Sequence, residues 1–300
     1  MQRWHYFCGL VGLFFIGVLP SHAAITVQDD AGKRVTIDFP AKRIVTLAPS
    51  LTELVYAAGA GSKLVAVSAY SDFPAAAKSL PQVADFNGVA LESLLVQKPD
   101  LVIAWKSGNR EADLQRIRSL GIPVYAAEVA LLADVPHTLR QIGQLAGTSK
   151  LAETVARNFE ARIASLQRFN VGKDKISVFF EIGRLPLMTI NGRHAISEAI
   201  AICGGENVFM NAPTLVFTPS REALIRLQPQ AILHPISSIK RGQDKTESKK
   251  LQGYEGITAV GENRIYSIDA DSILRQGPRF IDGVTEICTA LDTARAALKK

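Results

Sequence analysis

The sequence predicts an α/β protein of two related lobes with parallel-rich sheets, joined by a single long helix. The first observation is a helical pattern over residues 149–169, a stretch without Gly or Pro. Its apolar residues recur at steps of three or four and share one face: Leu151, Val155, Phe159, Ile163 and Leu166. Ser149 is placed to cap the first turn. The other observations are an internal repeat around this helix and apolar strands that alternate with helical segments, as parallel sheets require.

The internal repeat places similar sequence on either side of the long helix. LESLLVQKPDLVIA precedes it and REALIRLQPQAILH follows it, so Glu92 matches Glu222, 130 residues further on. A second match pairs TELVYAAGAG with SEAIAICGGE and sets Glu53 against Glu198. Two copies of one unit flanking a helix predict two lobes of the same design.

The chain opens with the pattern of a secretory signal peptide. Arg3 supplies a positive charge, an apolar run covers residues 6–19, and Ser21 and Ala23 are small residues at the predicted cleavage site. The run is too short to span a membrane. We therefore expect an exported chain with four segments: a signal peptide at 1–23, an N-terminal α/β lobe at 24–148, a connecting helix at 149–170 and a C-terminal α/β lobe at 171–300.

Apolar periodicity and the positions of Gly, Pro and Asp predict the elements in order. In the first lobe we expect a hairpin at 25–37, a strand at 43–48, a helix at 52–58 ended by Gly59, a strand at 64–68, a turn at 85–88, a helix at 91–97, a strand at 101–105, a helix at 109–120 and a strand at 124–126. In the second lobe we expect a strand at 176–181, helices at 195–202 and 221–227, strands at 231–233 and 264–267, and a last helix from Pro278.

Signatures of catalysis and of nucleic-acid binding are missing from the sequence. The glycines at 59 and 61 follow a predicted helix rather than a strand, so we interpret them as a helix end and not as a dinucleotide loop. His137, His194 and His234 are far apart in sequence, which favours structural roles over a metal site. An enzyme, such as a metal-dependent hydrolase on a two-lobed scaffold, is the alternative, but clustered ligands and a nucleophile are lacking.

The charge and the cysteines of the mature chain suit an exported protein. The full sequence has a net charge of +6, and removal of Arg3 with the signal peptide lowers it by one. The basic residues are scattered apart from a run at 240–250 that we interpret as a solvated loop, so nucleic acid is not an expected partner. Two cysteines remain after signal removal, Cys203 and Cys288. In an oxidising compartment an isolated pair favours one disulfide, and two buried thiols are the alternative.

Aromatic and apolar residues follow several predicted strands, at the end where ligands bind in doubly wound sheets. In the first lobe these are Tyr70, Phe86 and Trp105, and in the second lobe Ile182 and Phe217 would face them across a cleft. A single aromatic residue at a strand end more often belongs to the core. Several of them in one lobe indicate a ligand site as readily as a core.

Charged residues at two places allow a functional interpretation beside a structural one. Asp271 and Arg275 follow the predicted strand 264–267, and their structural interpretation is an exposed ion pair. Glu92 and Glu222 each begin a short helix, where an acidic residue favours the helix dipole. As a pair related by the repeat, they would also present one carboxylate on each lobe to a two-fold partner with two basic pockets.

The chain resembles the periplasmic binding proteins of ABC importers for cobalamin, haem and ferric siderophores in four stretches: RIVTLAPSLTELVYAAGAGSKLVAVSAYSDFP, LESLLVQKPDLVIAW, CGGENVF and SRE. The resemblance spans nearly the whole mature chain. It implies the class III architecture of two Rossmann-like lobes on one rigid helix, with ligand between the lobes, small closure and no catalytic activity. The stretches SAYSDFP, KPDLVIAWKSGN and DSILRQGPR are most similar to the cobalamin-binding branch.

The resemblance also implies roles for individual residues. It places Ser50 on the pocket floor, Tyr70 against the axial face of a corrin and Trp105 in the wall. The loop expected to contact the ligand's edge amides consists of Asp271, Ser272, Ile273, Leu274 and Arg275. It further implies salt bridges from Glu92 and Glu222 to permease arginines and a disulfide between Cys203 and Cys288.

The sequence departs from the family pattern at several ligand positions. Phe86 stands where the family has tryptophan, Ile182 where it has phenylalanine, and another tryptophan is replaced near Phe217. The hairpin at 25–37 is typical of the haem and siderophore branches. The expected ligand is cobalamin, carried as cargo and not as a cofactor, with haem or a ferric siderophore as the alternative. Haem would need an axial Tyr or His, which Tyr70 could supply.

The resemblance implies partners and a compartment as well. We expect a dimeric inner-membrane permease with ATPase subunits, a periplasmic location and a monomer when the protein is free.

Overall fold

The computed structural model describes residues 24–184, 186–237 and 256–299. The predicted signal peptide at 1–23 and the basic loop at 240–250 lie outside these ranges. The first part of the described chain contains β1 (Ile25–Gln28), β2 (Arg34–Ile37), β3 (Ile44–Thr46), α1 (Pro49–Ala57), β4 (Leu64–Ser68), β5 (Gln82–Asp85), β6 (Gly88–Val89), α2 (Leu91–Val96), β7 (Leu101–Trp105), α3 (Glu111–Ser119), β8 (Val124–Ala127) and α4 (Asp134–Ala146). The remainder contains α5 (Ser149–Asn170), β9 (Ile176–Phe180), β10 (Gly183–Arg184), β11 (Leu187–Ile190), α6 (Ala195–Ile202), β12 (Gly205–Asn207), β13 (Val216–Phe217), α7 (Arg221–Leu227), β14 (Ala231–Ile236), α8 (Thr258–Gly261), β15 (Ile265–Asp269), α9 (Ala270–Ile273) and α10 (Phe280–Leu298).

Each lobe is built on a parallel-rich sheet, and the two sheets share one strand order. The first sheet has the order β6-β5-β4-β3-β7-β8, and the second has the order β12-β9-β14-β15. All neighbouring strands run parallel except β5 and β6. The segment β4-β3-β7-β8 therefore corresponds to β12-β9-β14-β15, with α1 matching α6 and α2 matching α7. The predicted fold of two related α/β lobes is confirmed.

The long helix α5 packs closely on α4 of the first lobe. A side chain at Gly143 of α4 would come within 2.4 Å of the Ala152 side chain, so the missing side chain allows the two helices to approach. Ala152 and Ala156 are consequently buried, whereas Leu151, placed in the predicted face, is 51% exposed. The predicted cap is also wrong, because the helix begins at Ser149 and no side chain bonds its first turn.

Ion pairs hold α5 to both lobes. Arg140 of α4 binds Glu153 and Glu160, each over 2.7 Å. On the other side, Arg162 of α5 binds Asp282 of α10 over 2.7 Å. The connecting helix is therefore fastened at both lobes and not only through the chain.

A continuous apolar core runs from one lobe into the other. It contains Leu54 of α1, Phe159 of α5, Ile196 of α6 and Ile287 of α10, all with 5% exposure or less. Separating the lobes widely would expose part of this core to water, at about 25 cal/mol per Å². The packing therefore favours a nearly fixed arrangement of the lobes.

The predicted disulfide is confirmed. Cys203 at the end of α6 is bonded to Cys288 in α10, with their Cα atoms 4.6 Å apart. Both are buried, and the bond ties two helices of the second lobe together. Within the described residues, no helix is both long and apolar enough to cross a membrane.

Candidate functional site

A cavity of about 110 Å³ lies between the lobes, at the carboxyl ends of β3, β7 and β8. Its walls are formed by Ala48, Pro49, Ser50, Leu51, Trp105, Ala127, Val129, Leu274, Arg275 and Gln276. Ser50, Trp105, Leu274 and Arg275 are the predicted ligand-binding residues that the structure brings together here. Pockets for drug-sized ligands measure about 300–1,000 Å³, so a larger ligand bound here must extend over the rim.

Trp105 is held at the rim by polar contacts around its indole ring. Its backbone N–H donates to Asn109 Oδ1 over 2.7 Å, and its Nε1–H donates to Glu128 Oε1 over 3.3 Å. A side chain at Gly108 would come within 1.9 Å of the ring, so only glycine leaves room for it. The indole remains 43% exposed, and it therefore offers an oriented apolar surface to the cleft.

Tyr70 belongs to the loop after β4, and hydrogen bonds of neighbouring residues hold its backbone in place. Its φ of +63° lies in the left-handed region, which a tyrosine adopts only where neighbouring contacts hold the backbone. The next residue, Ser71, is held by a row of hydrogen-bonded hydroxyl groups. The oxygen–oxygen distances are 2.7 Å from Thr46 to Thr52, 3.0 Å from Thr52 to Ser71 and 3.2 Å from Ser71 to Ser68. The Tyr70 side chain itself is 72% exposed.

Phe86 stands at the tip of the β5–β6 hairpin and is 86% exposed. Asp85 Oδ1 accepts the Asn87 backbone N–H over 2.8 Å, and Gly88 has a φ of +124°, which together form the predicted turn. Phe86 is not part of the cavity wall. It is an exposed aromatic ring of the first lobe.

The second-lobe residues Ile182 and Phe217 lie apart from the cavity wall. Ile182 is half-buried against the core, and its N–H donates to the Met188 carbonyl over 2.9 Å. Phe217 pairs with Thr189 in the small antiparallel sheet β10-β11-β13 and packs edge-on against Phe209, 5.4 Å between ring centres. The cavity is thus asymmetric, since its second-lobe wall comes from the segment after α9.

Within the predicted loop 271–275, only the last two residues reach the cavity. Ser272 is 5% exposed and its N–H donates to Asp269 Oδ2, while Ile273 is fully buried against Gly283. Neither side chain lines the cavity, because both belong to α9 and its packing against α10. Asp271 binds Arg275 over 3.2 Å.

The alternative of an exposed Asp271–Arg275 pair is wrong, because Arg275 is drawn into a network across the lobes. Its Nη1 lies 2.6 Å from Asp72 Oδ1 and 3.4 Å from Glu53 Oε1. Burial lowers the pKa of Arg275, but the hydrogen bond to Asp72 and the nearby carboxylates outweigh it and raise the pKa. The same hydrogen bond lowers the pKa of Asp72. Both groups are therefore charged.

Sequence reasoning missed Glu53, Asp72 and Arg279 as residues of the site. Arg279 donates two hydrogen bonds to Glu53, of 2.8 and 2.6 Å, and these raise its pKa against the effect of burial. A signal was present, since the repeat aligns Glu53 with Glu198 and Arg279 belongs to the stretch DSILRQGPR. Neither pattern says which residues meet across the cleft.

The described histidines occupy separate structural positions. His194 Nδ1 accepts the Ile196 N–H at the start of α6, and burial lowers the pKa of His194 to about 4. His234 and Ser267 are 3.1 Å apart, and His137 faces Asp30 over 3.7 Å. Among the residues with described positions, no group of three or more His, Cys, Asp or Glu side chains could hold a metal ion.

The chain is similar in sequence to proteins named vitamin B12-binding protein. That of Vibrio campbellii is 33% identical over 256 residues, which are 85% of this chain and 91% of the relative. That of Pectobacterium carotovorum is 35% identical over 252 residues, 83% of this chain and 88% of the relative.

Solved structures show the same similarity. The periplasmic vitamin B12-binding protein BtuF of Vibrio cholerae superposes with a TM-score of 0.76 and 32% identity, covering 85% of this chain and 98% of that one. The periplasmic haem-binding protein RhuT of Roseiflexus superposes with a TM-score of 0.75 and 25% identity, covering 85% and 99%. The periplasmic binding protein family matches residues 44–272. The chain therefore belongs to the periplasmic binding protein family.

Proposed function

We propose that this chain captures cobalamin between its lobes in the periplasm and delivers it to an ABC permease of the inner membrane. The observation that carries the proposal is the inter-lobe cavity with Trp105 at its rim, in a chain 33–35% identical to vitamin B12-binding proteins. The function is that of a binding protein and not of an enzyme. Cobalamin is its cargo.

The chemistry of the cavity suits a corrinoid. A corrin ring has a broad apolar face, and amide groups surround its edge. Trp105 offers exposed aromatic surface to the face of such a ligand at the cavity, and Tyr70 and Phe86 are further exposed aromatic side chains of the same lobe, outside the cavity wall. Arg275 and Gln276 carry side-chain N–H donors for amide carbonyls at its edge.

Haem is the competing ligand. Two observations support haem: the chain is 25% identical to haem-binding RhuT, and Tyr70 is exposed and carries a hydroxyl group. The similarity to vitamin B12-binding proteins is higher and covers as much of the chain, which supports cobalamin.

A spectroscopic titration tests the proposal. The chain from Ala24 onward is purified without ligand and titrated separately with cyanocobalamin and with haemin, following absorption and heat. We expect saturable one-to-one binding of cyanocobalamin and much weaker binding of haemin. Tight haemin binding without cyanocobalamin binding would contradict the proposal.

Delivery requires a surface for the permease. Glu92 and Glu222 are exposed in the first turns of α2 and α7, which the repeat makes equivalent. One carboxylate on each lobe suits a dimeric permease with one arginine pocket per subunit. We also propose that residues 1–23 act as the cleaved signal peptide, that the lobes divide at 24–148 and 171–300 around a connecting helix at 149–170, and that the free protein is a monomer.

A further inference from the structure

Glu53 and Glu198, which the internal repeat makes equivalent, each contact the opposite lobe. Glu198 of α6 accepts a hydrogen bond from the backbone N–H of Leu132, which precedes α4, over 2.9 Å. Glu53 of α1 binds Arg275 and Arg279, which lie between α9 and α10. Each lobe thus supplies one carboxylate that holds the other lobe.

The Glu53 contact is a buried, two-point ion pair. The Glu53 side chain is 3% exposed, and it accepts Arg279 Nε–H at Oε2 and Arg279 Nη2–H at Oε1. Two parallel bonds fix the plane of the guanidinium group. The ring of Phe73 covers the Arg279 guanidinium at 4.0 Å. Because a buried carboxylate is costly without a paired cation, the pair opposes separation of the lobes at this point.

The same carboxylate also reaches Arg275, which lines the cavity. Arg275 Nη1 contacts Glu53 and Asp72, and its Nη2 lies 3.2 Å from Asp271. A guanidinium group has five N–H donors, and the Nε–H of Arg275 takes part in none of these three contacts. Three carboxylates therefore hold Arg275 in one orientation while donor capacity remains for a ligand.

We propose that Glu53 is the positioning residue of the cleft, which locks Arg279 across the lobe boundary and thereby holds Arg275 at the cavity wall to bind carbonyl acceptors at the ligand's edge. This role of Glu53 rests on the proposed function, because the ligand with amide groups at its edge is the cobalamin proposed there. Ser50, at the cavity, lies one helical turn before Glu53 on α1, so one helix carries both the wall and the residue that fixes the lobes.

A double-mutant cycle tests whether Glu53 acts through Arg275. The dissociation constant for cyanocobalamin is measured for the parent, Glu53→Gln, Arg275→Ala and the double variant. We expect each single change to weaken binding about tenfold, the scale of one charge-assisted hydrogen bond, and the double variant to be little worse than either single one. Unchanged affinity in Glu53→Gln, or fully additive losses, would overturn the proposal.

A measurement without ligand separates positioning from general stability. Spin labels at Gln115 of α3 and Thr289 of α10, both exposed, report the distance between the lobes. We expect a broader distance distribution in Glu53→Gln. The matched control is Asp292→Asn, which also removes an arginine-bound carboxylate but lies within the second lobe and away from the cavity, and it should leave distance and affinity unchanged.

Failure of the proposed function and failure of the Glu53 role give different results in these experiments. If the parent does not bind cyanocobalamin, the proposed function fails, and the distance measurement alone then judges Glu53. If Glu53→Gln does not fold, Glu53→Asp carries the same test, since it keeps the charge and shortens the side chain by one methylene group. An unchanged distance distribution in a folded Glu53 variant would refute the locking role.

Discussion

We propose Trp105 and Tyr70 as the side chains on which recognition of a flat ligand depends most directly. Both rings are exposed, and polar contacts outside the ring faces hold each residue in place. We expect Trp105→Ala and Tyr70→Ala each to weaken cobalamin binding by about 1–3 kcal/mol, the scale for losing a buried aromatic contact. Calorimetric titration measures the loss. Phe169→Ala is the control, because this ring is 68% exposed on α5 beside Lys173 and away from the cavity. Unchanged affinity in the double variant, with the fold intact, would place the site elsewhere.

At the scale of single residues, the sequence predicts positions in the chain better than it predicts contacts. Trp105 was identifiable because the end of a strand is visible as the limit of an apolar run, whereas Ser50 was identified only through the family resemblance. Ile273 is buried in the four-residue helix α9 instead of lining the cavity, and so short a helix has no periodic pattern that could predict this. Asp72 and Arg275 stand 203 residues apart, and no local pattern predicts that they meet.

At the scale of elements, the N-cap of helix α6 is His194, a residue that titrates. His194 accepts the Ile196 N–H only while it is neutral, and its pKa falls from 6.5 in the unfolded chain to about 4 in the fold. The unfolded chain therefore binds more protons between these values, so folding stability decreases as the pH falls from about 6.5 to 4, by up to about 3 kcal/mol. In His194→Asn, asparagine still caps the helix but does not titrate.

Urea unfolding at pH 7.5 and pH 4.5 measures this effect. We expect the parent and His194→Asn to differ little in stability at pH 7.5, and the parent to lose more stability than the variant at pH 4.5. Equal losses in the two proteins would contradict the assignment.

The disulfide joins α6 to α10 at another point of the same lobe. In the chain from Ala24 onward, unfolded without reductant, thiol titration should find no free thiol. Replacing Cys203 and Cys288 by serine should lower the free energy of unfolding by about 2–5 kcal/mol. Because neither residue lines the cavity, the affinity for cobalamin should hardly change. Two titratable thiols in the unreduced parent would contradict the bond.

Most helices and strands with clear periodicity were predicted to within a few residues. The 13-residue helix α4 and the short strands were not predicted. The strands β4 and β7 have the predicted bounds, and β1 and β2 form the predicted hairpin. Helix α1 begins at Pro49 rather than at residue 52, because proline is compatible with the first turn of a helix. The short strands β10 to β13 were not predicted, since two to four residues give too little pattern and their pairing partners are distant in sequence.

At the scale of the whole molecule, the repeat gives the protein two equivalent acidic positions. Strand order relates the lobes, so α2 and α7 precede corresponding strands, and each carries its exposed glutamate in the first turn. A continuous core and the ion pairs of α5 hold the lobes in a nearly fixed arrangement. The spacing between the two carboxylates is consequently nearly fixed, which suits docking onto a rigid two-fold partner.

Replacing both Glu92 and Glu222 by alanine tests this docking surface. Neither residue lines the cavity, so ligand affinity should be unchanged, and the melting temperature should fall only by the small amount expected for exposed first-turn acids. Uptake through the transporter should fall sharply, because each charge-assisted hydrogen bond to the permease is worth about 1.5–3 kcal/mol, and each single variant should be intermediate. Glu111→Ala is the matched control, since Glu111 is also an exposed acid in the first turn of a helix. Normal uptake by the double variant, together with a lower melting temperature, would leave the two glutamates as helix-capping charges and reject the docking role.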